Sequence, residues 1–134
     1  LTQAVRAKVL AGEIAGVSGV VERGATAPLL LDIAAEPDAE FDVGLPFADT
    51  AFLYAYEGDL LVGHGGAAKP LAQGWLGVLS DGDRLDLKAG SNGAHFLLAA
   101  AKPLHEPVVK HGPFVMTTNA EIEQAIADYR AGRF

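Results

Sequence analysis

The chain has 134 residues, ten Lys and Arg against seventeen Asp and Glu for a net charge of −7, and no cysteine. That length predicts one domain with a genuine core and leaves no room for a second, and the singly scattered basic residues argue against a nucleic-acid surface, which needs concentrated positive charge. Disulfides, thiolate ligands and thiol nucleophiles are ruled out, and the longest apolar stretches, such as Phe96 to Ala101, fall far short of the ~20 residues of a membrane helix.

In chain order the dominant period is two, broken by Gly, Pro and Asp, which predicts an all-β sandwich or barrel. Val5, Ala7 and Val9 alternate with Arg6 and Lys8 as a half-buried strand. Leu29 to Ala34 is apolar on both faces, as are Ala51 to Tyr56 and His95 to Ala101; such strands need cover on both sides, and the surplus apolar surface predicts a partner. Glu36, Asp38, Glu40 and Asp42 fall on one face of an alternating strand, opposite Pro37, Ala39, Phe41 and Val43. A cation would be drawn to such a row, but a solvated edge that resists aggregation is the expectation. Turns are expected at Glu57-Gly58-Asp59, Gly63 to Gly66, Ser80 to Asp83 and Ser91-Asn92-Gly93, with Leu85 and Leu87 alternating between the last two. The aromatic set Phe52, Tyr54, Tyr56 and Trp75 is expected in core and domain-contact packing.

One helix is predicted near the end. Thr118 and Glu121 have capping-box spacing, or Asn119 caps instead, and Ile122, Ala125, Ile126 and Tyr129 follow on one face before Gly132 stops it. So short a helix is marginal alone and must dock.

Three histidines carry no catalytic motif. His64, in Gly63-His64-Gly65-Gly66, is placed in a surface turn, because Ser18 lacks a nucleophile-elbow setting. His105-Glu106 opens like a zinc-protease motif, yet Val109 stands where the second histidine belongs and Pro107 opposes a helix. His111 precedes Gly112-Pro113 in a loop.

Glu106-Pro107-Val108, Gly112 to Met116, Glu121-Ile122 and Asp128-Tyr129, all between Pro103 and Phe134, resemble the C-terminal end of the pirin family. Pro28 to Ala35 and Ala51 to Leu60 look like the family's C-domain strands. The resemblance implies an all-β cupin jelly-roll, a β-sandwich or barrel with a C-terminal α-helix, spanning residues 1–134 as the C-terminal cupin of a bicupin. In that family iron or another divalent metal is held by the N-terminal cupin, which this chain lacks. Some bacterial members are flavonol dioxygenases acting on quercetin-like substrates, and the eukaryotic member is a nuclear transcription cofactor.

Metal-binding cupins carry two histidines separated by one residue, a glutamate a few positions on, a glycine after six more, and a last histidine in a second motif. Anchored on Gly58, the glutamate falls on Ala51 and the histidine pair on Leu45 and Phe47, or on Gly44 and Pro46 with the longer gap; anchored on Gly82, the last histidine falls on Gly93. None of these side chains donates to a metal, so no catalytic, cofactor or metal residue is assigned. His95, two residues past the empty slot on the same strand face, is the one pocket candidate. The expected domain-contact surface is Pro103 to Met116, with Pro107, Pro113 and Phe114, joined by the helix face of Ile122, Ile126 and Tyr129.

The expected partner is the N-terminal cupin of the same parent, with self-association as a further option and neither nucleic acid nor membrane. The chain starts at Leu1 rather than Met, as an excised domain or processed product would. No basic flank and apolar region mark a signal peptide, and a soluble cytoplasmic protein is expected. Two rivals stand beside this reading: a metal-free small-molecule cupin, which would need an open pocket, and a transcription cofactor acting through protein contacts.

Overall fold

The computed structural model describes residues 4–21 and 26–133; Phe134, which ends the family-like segment, lies outside them. The chain forms two compact units, Leu1–Pro103 and Leu104–Phe134.

The first unit is all β: β1 (Val5–Ala11), β2 (Glu13–Ile14), β3 (Val17–Ser18), β4 (Leu29–Ala35), β5 (Glu40–Gly44), β6 (Thr50–Val62), β7 (Lys69–Leu71), β8 (Leu76–Val78) and β9 (Arg84–Ala101). Seven of these make one antiparallel sheet in the order β1-β4-β9-β6-β7, with β5 paired to β9 and β8 to β6; β2 and β3 form a separate small hairpin. The 18-residue β9 is long enough to change partners, pairing β5 through Arg84 to Lys88 and β4 through Ala94 to Ala100, while β6 pairs with it at Leu87 to Ala89 and again at Ala94 to Ala101.

Two glycines permit the strands to kink where the partners change. Gly58 and Gly93 have φ of +68° and +80°, and a Cβ on Gly58 would lie 2.1 Å from the Gly93 carbonyl oxygen. Only glycine fits both the left-handed backbone and so close an approach.

Strand alternation sends Leu31 and Ile33 of β4, Leu53 and Ala55 of β6, and Leu85, Leu87, Phe96 and Leu98 of β9 into one core. Leu31, Ile33, Leu53, Phe96 and Leu98 are fully enclosed, and Phe41 of β5 stacks on Phe96 at 6.2 Å. Each such side chain contributes roughly 1.5–3 kcal/mol through its burial.

Two expectations need correction here. Phe52, Tyr54 and Tyr56 occupy the other face of β6 and stay 37–38% exposed, and Trp75 is 68% exposed, so the aromatic set is not core. The acidic residues do not share one strand: Glu36 and Asp38 precede β5 in a turn where Asp38 has φ +56°, and only Glu40 and Asp42 are strand residues. Glu40 faces Lys88 in register and accepts a 2.8 Å ionic hydrogen bond from its Nζ. That bond holds the Glu40 carboxyl below its ordinary pKa and raises the ammonium of Lys88.

The second unit is a hairpin and a helix: β10 (Val109–His111) and β11 (Phe114–Met116) turn through Gly112-Pro113, and α1 (Asn119–Arg130) lies against them. Thr118 rather than Asn119 is the N-cap. Its hydroxyl accepts from the Glu121 amide at 3.2 Å while the Glu121 carboxylate accepts from the amides of Thr118 at 2.8 Å and Thr117 at 3.1 Å, so the capping box is complete. Gly132, at φ +66°, follows the C-terminus, and Arg133 pairs with Asp128 at 2.6 Å. Among the described residues no helix is long and apolar enough to cross a membrane.

Candidate functional site

The cupin ligand frame can be tested position by position. Leu45 and Ala51 line a cleft at one end of the sheet, whereas Gly93 lines a shallow pocket elsewhere. In the β6–β9 ribbon Ala51 stands opposite Ala100, and Gly58 opposite Ala94. Seven residues of β9, about 23 Å, therefore separate Gly93 from the level of Ala51. Metal ligands must meet within about 2.0–2.2 Å of one ion, so these positions neither carry donors nor converge. Among the described residues no group of three or more His, Asp or Glu is placed to hold an ion.

His95 is flanked by the buried Ala94 and Phe96 and so turns away from the core, onto the outer face of the sheet. At this point β9 gives Ala94 and Phe96 to the core, and His95 lines a pocket on the other side of the strand. Its ring meets Tyr56 edge-on at 6.0 Å. Register aligns Arg6, Ala34, His95 and Glu57 across four strands, and the small Ala34 leaves a pocket of about 200 Å³ beside them. Nearby, Tyr56 Oη donates to Asp32 Oδ1 at 2.7 Å. This bond foremost, then desolvation and the charges of Asp32 and Glu57, pushes the Tyr56 phenol up to about 12.

The end cleft is larger, about 670 Å³, with Leu45, Leu71 and Leu85 among its apolar lining and Asp49, His64 and Lys69 among its polar residues. Asp49 Oδ1 is enclosed there without a hydrogen-bond donor. Arg84, also in the lining, is held by Asp86 at 2.9 Å and Asp42 at 3.7 Å. His64 lies just before the 3₁₀ turn Gly65–Ala67, exposed as a surface turn requires. No sequence signal marks this cleft, because its walls come from five separated segments.

The expected contact surface is divided. Pro107 and Pro113 are exposed, Phe114 and Ile126 are partly buried, and Tyr129 is 68% exposed while its ring meets Phe114 edge-on. Ile122 is buried together with Ala125, so it does not belong to an exposed helix face. His105 and His111 are both exposed; His105 has φ +55° in a non-helical segment, and His111 ends β10 instead of lying in a loop. Sequence reasoning missed the exposed apolar strand β8, where Leu76 and Val78 stand 52% and 72% open. Three residues are too few for a periodicity to register.

Comparison with known proteins identifies relatives over nearly the whole chain. The family model of the pirin C-terminal cupin domain matches residues 30–134. Pirin of Homo sapiens is 38% identical over 127 residues, covering 94% of this chain and 43% of the human protein. A putative quercetin 2,3-dioxygenase of Pseudomonas aeruginosa is 40% identical over 132 residues, covering 96% of this chain and 46% of that protein. Among solved structures, a crystal structure of quercetin 2,3-dioxygenase from Acinetobacter baumannii superposes with a TM-score of 0.87 at 28% identity, covering 98% of this chain and 44% of that one. The chain thus spans less than half the length of these relatives.

Proposed function

The chain belongs to the pirin family, as its C-terminal cupin domain, and from that premise we propose that it is the metal-free half of a bicupin, packing against and supporting an N-terminal cupin of the same parent. Residues 1–134 are read as one domain of that parent, because the family match runs from residue 30 to 134 across both compact units. The observation that carries the metal-free reading is the ligand frame: Leu45, Ala51 and Gly93 offer no donor, and β-sheet register keeps the last of them far from the others.

The activity on quercetin for which the bacterial relatives are named is carried to the parent and not to this chain. There the companion cupin would hold iron or another divalent metal, and this domain would supply a wall. A cytoplasmic location is part of the reading, and the cysteine-free sequence is compatible with it.

The test is elemental analysis of the purified chain for iron, copper, manganese and zinc. We expect less than stoichiometric metal after dialysis; one ion per chain retained through dialysis overturns the reading. The coding sequence upstream of Leu1 is the second check, where an H-x-H, a glutamate and a further histidine with cupin spacing are expected.

The end cleft supports one second reading, a small-molecule site without metal, since its volume is in the range of ligand pockets and the enclosed Asp49 Oδ1 lacks a donor. Fragment screening by amide NMR decides it. Shifts clustered on Leu45, Leu71 and Leu85 favour a ligand site, and their absence removes it.

A further inference from the structure

The end cleft of the first unit joins a carboxylate to apolar walls on fixed backbone. Ala51, Leu71 and Leu85, all buried, line it as well as belonging to the core. Asp49 enters from the turn just before β6, where its amide donates to the Pro46 carbonyl at 3.0 Å. Main-chain bonds pin that turn on both sides: the Leu45 amide donates to the Asp83 carbonyl and the Leu79 amide to the Ala51 carbonyl, each at 2.9 Å. The backbone that carries the carboxylate is thus set, and the enclosed Asp49 Oδ1 takes no hydrogen bond from the protein. The cations of the lining are placed elsewhere. Arg84 is held by Asp86 and Asp42, and Lys69 is exposed on β7, paired in register with Val62.

A carboxylate oxygen withdrawn from water without a donor is costly, and a ligand that brings the donor recovers that cost. An ammonium does so best, because its hydrogen bond to a carboxylate is charge-assisted. The three carboxylates of the lining, Asp49, Asp81 and Asp86, outnumber Lys69 and Arg84 on a chain of net charge −7, so the cleft draws a cation in preference to an anion. A bare metal ion is the poorer occupant, since among the described residues no group of three or more His, Asp or Glu is placed to hold one. The cleft's volume of about 670 Å³ and its leucines suit a hydrocarbon body instead. We propose that the end cleft receives a small organic ammonium, a primary amine with an apolar body, whose N–H donates to Asp49 Oδ1 while its hydrocarbon lies on Leu45, Leu71 and Leu85; the inference rests on the small-molecule reading of this cleft given above.

Three matched probes test it, titrated separately into the 134-residue chain and followed by methyl and amide NMR: 2-phenylethylammonium, the neutral 2-phenylethanol and the anionic 3-phenylpropanoate. We expect saturable shifts at Leu45, Leu71 and Leu85 from the ammonium, with an affinity about tenfold or more above that of the alcohol and the acid weakest of the three. Asp49→Asn should bring the ammonium down to the affinity of the alcohol, whereas Glu123→Gln, which removes the same charge from the exposed side of α1, should leave it unchanged. Equal affinities for the ammonium and the alcohol overturn the proposal, as do equal losses in the two variants, which would mark attraction to the net charge alone. Should Asp49→Asn fail to fold, the ranking of the three probes on the native chain decides by itself. If none of the probes shifts the three leucines, the small-molecule reading falls together with the proposal; if the alcohol or the acid binds there best, only the ammonium assignment falls.

Discussion

Tyr56 on β6 and Asp32 on β4 are joined across the intervening β9 by a 2.7 Å hydrogen bond between side chains 24 residues apart in sequence. The bond favours the protonated phenol, which explains a pKa raised from 10.0 to about 12. A raised folded-state value means that the bond's contribution is fully present below pH 10 and is lost as pH rises from there towards about 12. We expect the urea midpoint of the native chain to fall in that window and that of Tyr56→Phe to fall less. Parallel curves for the two proteins would show the bond to be absent in solution.

The capping box is the second test. Thr118→Ala removes the side-chain acceptor for the Glu121 amide and should destabilise α1 by roughly 1 kcal/mol, read as lost helical circular dichroism. The hydroxyls of Thr117 and Thr118, more than their amides, hold the Glu121 carboxyl below its ordinary 4.5. A depressed value places the contribution above pH 4.5, and it is lost as pH falls further, so helix fraying on acidification should be weaker in Glu121→Gln.

Glycine substitutions separate backbone conformation from close approach. Gly65 has φ +55° with open space around its would-be Cβ, so Gly65→Ala should cost about 1 kcal/mol. Gly58→Ala adds a collision with the Gly93 carbonyl and should cost roughly 3 kcal/mol or more, or prevent folding. Equal urea midpoints for the two variants would contradict the kinked pairing of β6 with β9.

Phenylalanines on the two faces of the sheet should behave oppositely. Phe96 is fully enclosed and Phe96→Ala should cost about 3–5 kcal/mol. Phe52 lies on the open face at 38% exposure, and Phe52→Ala should cost the 134-residue chain about 1 kcal/mol or less. A large loss at Phe52 would mean that the outer face is already covered within the chain.

By itself the sequence determined the class of the fold and the family. Period-two alternation in Val5 to Val9 and in Arg84 to Lys88 marks true strands, Thr118 and Glu121 mark the start of α1, and the segments between Glu106 and Tyr129 mark the pirin C-terminal domain. Those signals are local: each needs only residues within one or two turns of chain. Leu29 to Ala34 and Ala51 to Tyr56 are apolar on both faces, and for them periodicity holds no information about which face the core will take. Only tertiary packing decided that Leu53 turns inward and Phe52 outward, and that His95 shares the outer face. Register was equally invisible. That Ala51 pairs with Ala100 depends on how two strands nearly fifty residues apart settle against each other, and this pairing, not the identity of any single residue, keeps Gly93 from meeting Ala51 in a ligand cage.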